Sequence, residues 1–108
     1  FEYVQGLFSR YGLLDDQVCF LRGWFSETLP KAAIDKLAVV RLDGDLYEST
    51  HDALHHLYPK LSAGGYLIVD DYGVPCGCRK AVDEYRAAHD IADEILPVTD
   101  ASVYWRKS

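Results

Sequence analysis

Leu37-Ala38-Val39-Val40-Arg41-Leu42-Asp43-Gly44-Asp45 and Tyr66-Leu67-Ile68-Val69-Asp70-Asp71 are the stretches that decide the fold. Each is a short apolar run that stops abruptly in aspartates. Near-continuous apolar runs of this length read as strands buried in a parallel sheet. Between them, Thr50, Ala53, Leu54, Leu57, Tyr58 and Leu61 fall on one face at helical spacing, which predicts a helix from about Tyr47 to Lys60. Ser62-Ala63-Gly64-Gly65 is expected to break that helix, with the glycines in a turn that needs positive φ. Strand, helix and strand in this order form the basic unit of an α/β sheet.

Working outward, Val4, Leu7, Phe8 and Tyr11 are helically spaced, so Phe1 to Tyr11 reads as a helix end that stops at Gly12. Val18-Cys19-Phe20-Leu21 is expected to be a further buried strand, followed by the loop Arg22-Gly23-Trp24-Phe25. Ser26 is a candidate cap for a short turn ending at Pro30. Beyond Asp71, Gly73, Pro75 and Gly77 make a loop, and Ala81, Val82, Tyr85 and Ala88 mark one side of a second amphipathic helix. Ile95-Leu96-Pro97-Val98 and Ser102-Val103-Tyr104-Trp105 suit an antiparallel hairpin. The whole pattern predicts a mostly parallel α/β sheet in which ligands bind at the carboxyl ends of the strands. Asp43, Asp45, Asp70 and Asp71 stand at two such ends.

The composition is that of an ordinary globular domain: 108 residues, 49% hydrophobic and 26% charged. The net charge of −6 and the lack of a basic cluster argue against nucleic acid as a partner. No apolar run is long enough to span a membrane. Cys19, Cys76 and Cys78 form no disulfide framework, and Cys76-Gly77-Cys78 lacks Cys-x-x-Cys spacing. Reduced thiols in a cytoplasmic protein are expected. The chain begins at Phe1 and contains no methionine, which reads as a piece of a longer protein.

Carboxylates brought together at neighbouring strand ends repel one another, and a hard divalent cation relieves that repulsion. Oxygen-only ligation suits Mg²⁺ or Mn²⁺. The competing reading makes each aspartate a turn former or helix cap. For Asp45 that reading is a cap on the helix beginning near Tyr47; the functional alternative is a general base beside a metal. Trp24 either stacks on a nucleobase or is buried. His51 and His55 have the i, i+4 spacing of a metal chelate, but a solvated face suits them and His56 better.

The passages Arg41-Leu42-Asp43-Gly44-Asp45-Leu46-Tyr47-Glu48-Ser49-Thr50 and Leu57 to Gly73 resemble the corresponding part of class I methyltransferases. With Gly23-Trp24-Phe25, Thr28-Leu29-Pro30, Cys78-Arg79-Lys80-Ala81-Val82-Asp83 and Val103-Tyr104-Trp105-Arg106, nearly the whole chain resembles the macrocin and mycinamicin O-methyltransferases of the TylF/MycF type. The resemblance implies a partial Rossmann-like sheet over residues 1–108, the C-terminal part of one domain, lacking the N-terminal strands and closing in an antiparallel hairpin. It implies S-adenosylmethionine and Mg²⁺ as cofactors and a sugar hydroxyl of a macrolide or aminocoumarin as acceptor. The family's metal ligands match Asp43, Asp70 and Asp71, as in the similar logic of catechol O-methyltransferase, and the proposed base of one member matches Asp45. Gly23, Trp24, Phe25 and Asp43 are expected on the cofactor side. A homo-oligomer is expected at full length.

The family's Gly-rich cofactor loop and the acidic residue for the cofactor ribose are missing from these residues. The chain alone is therefore expected to bind S-adenosylmethionine poorly and to be marginally stable. Two other readings compete. Asp43-x-Asp45 after a strand also resembles the first motif of haloacid-dehalogenase-type phosphatases, although Asp43 and Asp70 lie only 27 positions apart. A truncated, non-catalytic relative serving as an interaction module is the third.

Overall fold

The structure, a computed structural model, describes residues 2–12 and 14–108. Helix α1 (Glu2–Arg10) opens the chain and ends at Gly12, whose φ of 69° glycine adopts at no steric cost. Phe1, the first residue of the expected helix, lies outside the described residues. One short turn, α2 (Phe25–Thr28), runs into a 3₁₀ turn (Leu29–Lys31). Strand β1 (Leu37–Leu42), helix α3 (Tyr47–Leu57), a 3₁₀ turn (Tyr58–Lys60) and strand β2 (Leu61–Val69) then form the strand–helix–strand unit. Helix α4 (Gly77–Ala88) and the hairpin of β3 (Leu96–Pro97) and β4 (Val103–Arg106) complete it. No helix among the described residues is long and apolar enough to cross a membrane.

The sheet has the order β1-β2-β4-β3. β1 and β2 are parallel, with Leu42 beside Val69; β4 runs antiparallel to both β2 and β3. Helices α3 and α4 cover one face. Period-two alternation sends Val40 and Leu42, Leu67 and Val69, and Trp105 into that face, where they meet Ala53, Leu54 and Val82. Trp105 is fully buried, and its indole N–H donates to the Tyr58 hydroxyl at 3.1 Å. The opposite face is open: Val39 is 55% exposed and Tyr66 42%. The strands therefore alternate, although the apolar runs predicted burial on both sides. On α4, Cys78, Ala81 and Val82 are buried and Tyr85 is partly buried, but Ala88 is exposed.

Three local expectations are corrected. Val18–Leu21 is not a strand; it runs without a ladder, and Leu21 is 52% exposed. A strand needs a partner to take its backbone N–H and C=O groups, and no described strand lies beside this segment. Ser26 caps nothing. Trp24 is the residue before α2, and its carbonyl accepts from the Thr28 hydroxyl and amide instead. Ser62-Ala63-Gly64-Gly65 does not separate helix from strand. It lies within β2 as a bulge, with Leu37 opposite Leu61 and Val39 already opposite Tyr66. Gly65 permits this close approach: a Cβ there would stand 2.7 Å from the Ala38 carbonyl oxygen.

Candidate functional site

Parallel pairing of β1 and β2 sets their carboxyl ends side by side. One step beyond the Leu42–Val69 pair come Asp43 and Asp70, and the Asp70 amide still donates to the Leu42 carbonyl at 2.9 Å. The Asp70 carbonyl accepts from the Ser102 hydroxyl at 3.1 Å, so its backbone is tied to β1 on one side and to the β3–β4 hairpin on the other. The Asp71 carbonyl accepts from the Cys76 thiol at 3.6 Å.

The four aspartates differ in surroundings. Asp43 and Asp45 are exposed, while Asp70 and Asp71 are partly buried. Asp71 Oδ2 is shut off from solvent and has no hydrogen-bond partner. Burial raises the Asp71 carboxyl above its ordinary value, and the charges of Asp45, Asp43 and Asp70 push it further the same way. Asp45 is also placed to accept a hydrogen bond from the protonated Asp71. A buried, unpartnered carboxylate oxygen facing other carboxylates is costly. Protonation or a cation relieves it.

Arg41 is a side chain at these strand ends that the sequence reading passed over. Its Nε and Nη2 both donate to Asp70 Oδ2, at 2.9 and 2.7 Å. The sequence signal was weak, since a charge within a strand requires a partner only when it is buried, and the Arg41 side chain is 66% exposed. Its guanidinium pKa is raised, first by that hydrogen bond, then by the Asp70 charge, and also by Asp43.

Asp45 does not cap α3: Leu46 precedes the helix and no side chain caps it. Ser49 and Thr50 secure the turn instead, with their hydroxyls donating to the Leu46 and Gly44 carbonyls at 3.0 and 3.4 Å. Among the described residues, no three His, Cys, Asp or Glu side chains are arranged as a ready metal cage. The chemistry of the donor set nevertheless fits a hard cation, because Asp71 offers an unpartnered oxygen among carboxylates. Asp70 is the member already held by a cation of the protein's own. His51 and His55 do not converge on a point; their rings stack 6.1 Å apart at 4°, on the exposed side of α3.

Trp24 is 77% exposed, which removes the buried reading. With Gly23, Phe25 and residues of α3 it borders a cavity of about 290 Å³. Phe25 also lines a smaller cavity of about 130 Å³ beside Arg41, Asp43 and Gly44. The Gly23–Phe25 loop and the aspartate ends thus flank one edge of the sheet.

The family model for macrocin-O-methyltransferase (TylF) matches residues 1–107. The chain is 59% identical to demethyldecarbamoylnovobiocin O-methyltransferase of Streptomyces niveus over 107 residues, covering 99% of this chain and 41% of that protein. It is 58% identical to mycinamicin III 3''-O-methyltransferase of Micromonospora griseorubida, covering 97% and 41%. The solved O-methyltransferase NovP superposes with a TM-score of 0.97 at 59% identity, over 99% of this chain and 44% of that one. The calicheamicin-pathway methyltransferase CalS11, at 22% identity and a TM-score of 0.76 over 97% of this chain and 51% of that one, shares the fold. The chain spans about two fifths of the length of the curated relatives it matches. With the family model matching nearly end to end, the chain belongs to the TylF macrocin-O-methyltransferase family.

Proposed function

We propose that this chain carries the aspartate half of the active site of an O-methyltransferase that uses S-adenosylmethionine and Mg²⁺ to methylate a sugar hydroxyl of a glycosylated natural product. The observation that carries the reading is Asp71: its unpartnered, buried oxygen and raised carboxyl lie among Asp43, Asp45 and Asp70 at the ends of two parallel strands. Membership of a methyltransferase family supports it. The relatives' names point to glycosylated small molecules as acceptors. We place the protein in the cytoplasm, as a homo-oligomer at full length.

Asp43, Asp70 and Asp71 would hold the ion. When bound, Mg²⁺ favours the ionised form of a coordinated hydroxyl, and S-adenosylmethionine supplies the methyl group. Asp45, which caps no helix, takes the hydroxyl proton. Trp24 and Phe25 border the cavity suited to the cofactor's adenine, with Gly23 and Asp43 nearby. Much of the rate enhancement would come from holding acceptor and donor aligned. The phosphatase reading of Asp43-x-Asp45 is not favoured, since the named relatives are O-methyltransferases.

Calorimetric titration of Mn²⁺ into this chain, beside Asp70→Asn, tests the metal half of the site. Saturable binding that Asp70→Asn abolishes is the expected result. A folded parent chain that binds no Mn²⁺ would end the metal mechanism for this chain.

A further inference from the structure

We propose that Arg41 is a positioning residue for metal binding: it holds one oxygen of Asp70 so that the other is presented to the cation. The inference rests on the metal reading above and adds a role for a residue outside the four aspartates.

The sheet register creates the pair. Arg41 stands opposite Ile68, and Asp70, two residues on, shares its face of the sheet. A diagonal of this kind is within reach of a long side chain. Both donating nitrogens converge on Oδ2, at 2.9 and 2.7 Å, so Oδ1 stays outside the pair. The Asp70 backbone is itself held, through its amide to Leu42 and its carbonyl to Ser102. With backbone and one carboxylate oxygen both anchored, little freedom remains in the direction of the second oxygen.

The exposure of the two partners bears on what the contact does. The Arg41 side chain is 66% exposed and that of Asp70 16%. An ion pair open to solvent on one side adds little to folding. Its effect falls on orientation instead. Hydrogen bonds to ligating carboxylates commonly change metal affinity by ~10–100-fold. Arg41 and Asp43 are also both among the residues that line the small cavity at this end of β1.

The test is Mn²⁺ affinity, measured by calorimetry and by the EPR signal of free Mn²⁺, for the parent chain, Arg41→Gln and Arg41→Lys. Arg41→Gln is expected to bind about tenfold more weakly while its thermal transition stays at the parent position. Arg41→Lys is expected to recover part of the loss, because an ammonium can replace a contact in which both nitrogens meet one oxygen. Equal or tighter binding by Arg41→Gln would overturn the proposal, tighter binding meaning that the guanidinium competes with the cation for Asp70. Equal loss in both variants, or a loss that follows a fall in the thermal transition, would also overturn it. Failure of the parent chain to bind Mn²⁺ would remove the metal reading itself; normal parent binding with an unaffected Arg41→Gln would remove only the role of Arg41.

Discussion

The two faces of the sheet are built from the same strands and obey different rules. On the helix-covered face, Leu42, Leu67, Val69 and Trp105 pack against α3 and α4 and are almost wholly buried. On the open face, the neighbours of those residues are Val39, Arg41, Tyr66, Ile68 and Asp70. Here Tyr66 and Tyr104 lie 6.2 Å apart by ring centroid, and Arg41 pairs with Asp70. One face holds the fold together. The other carries charge to the strand ends at little cost, because water still reaches it. The lesson is that β1 and β2 divide stability and site between alternate residues, so a one-residue step along a strand crosses from one role to the other.

The sharpest break in that comparison is Trp105→Ala. Trp105 is fully buried beneath the Arg86 guanidinium, 4.5 Å from its ring centroid, and bonds to Tyr58. Truncation should cost about 3–5 kcal/mol of stability in urea unfolding. A loss below about 1 kcal/mol would mean that the covered face is not the core.

Next is Asp71→Asn, where the two roles meet. Its carboxyl is raised in the folded chain, first by burial and then by Asp45, Asp43 and Asp70. A raised folded value means that the folded state holds the proton more tightly than the unfolded one. That stability is fully present below the ordinary Asp value and is lost as pH climbs through the raised value. In the metal-free chain, Asp71→Asn should therefore be more stable by about 1 kcal/mol at neutral pH, by removing an ionised oxygen without a partner. The gain should vanish in acid. Thermal melts at both pH values check it, and a variant that is less stable at neutral pH would contradict it.

The smallest effect belongs to the open face. Val39→Thr should change stability by no more than about 0.5 kcal/mol, since Val39 is 55% exposed and keeps a β-branched shape. A large loss would show that this face is packed against something.

How far the sequence carried the reading varies along the chain. β1 was legible at both ends, Leu37 and Leu42, because an apolar run between charged or turn residues leaves no other choice. The helix expected from Tyr47 to Lys60 forms as α3 and the 3₁₀ turn that follows it, and the hairpin also forms. Val18–Leu21 misled because apolar composition records a wish to be covered and says nothing of which strand is available for pairing. Ser26 misled because a capping residue competes with the tertiary route of the loop. The aspartates were legible as a group, since strand ends in a parallel unit point one way. Arg41 was not, because its importance depends on a diagonal contact between strands 29 positions apart in sequence.

By itself, the sequence determined the alternation of strand and helix, the placing of four aspartates at strand ends and the likeness to one methyltransferase family. These rest on local periodicity and on runs of residue type, which the chain carries whatever its neighbours do. Only the tertiary structure decided which face is covered, that Asp70 is gripped by Arg41, that Asp71 bears an orphaned oxygen and that Trp24 lies in the open. Each of those depends on register and packing between segments far apart in the chain, where a shift of one residue exchanges the two faces.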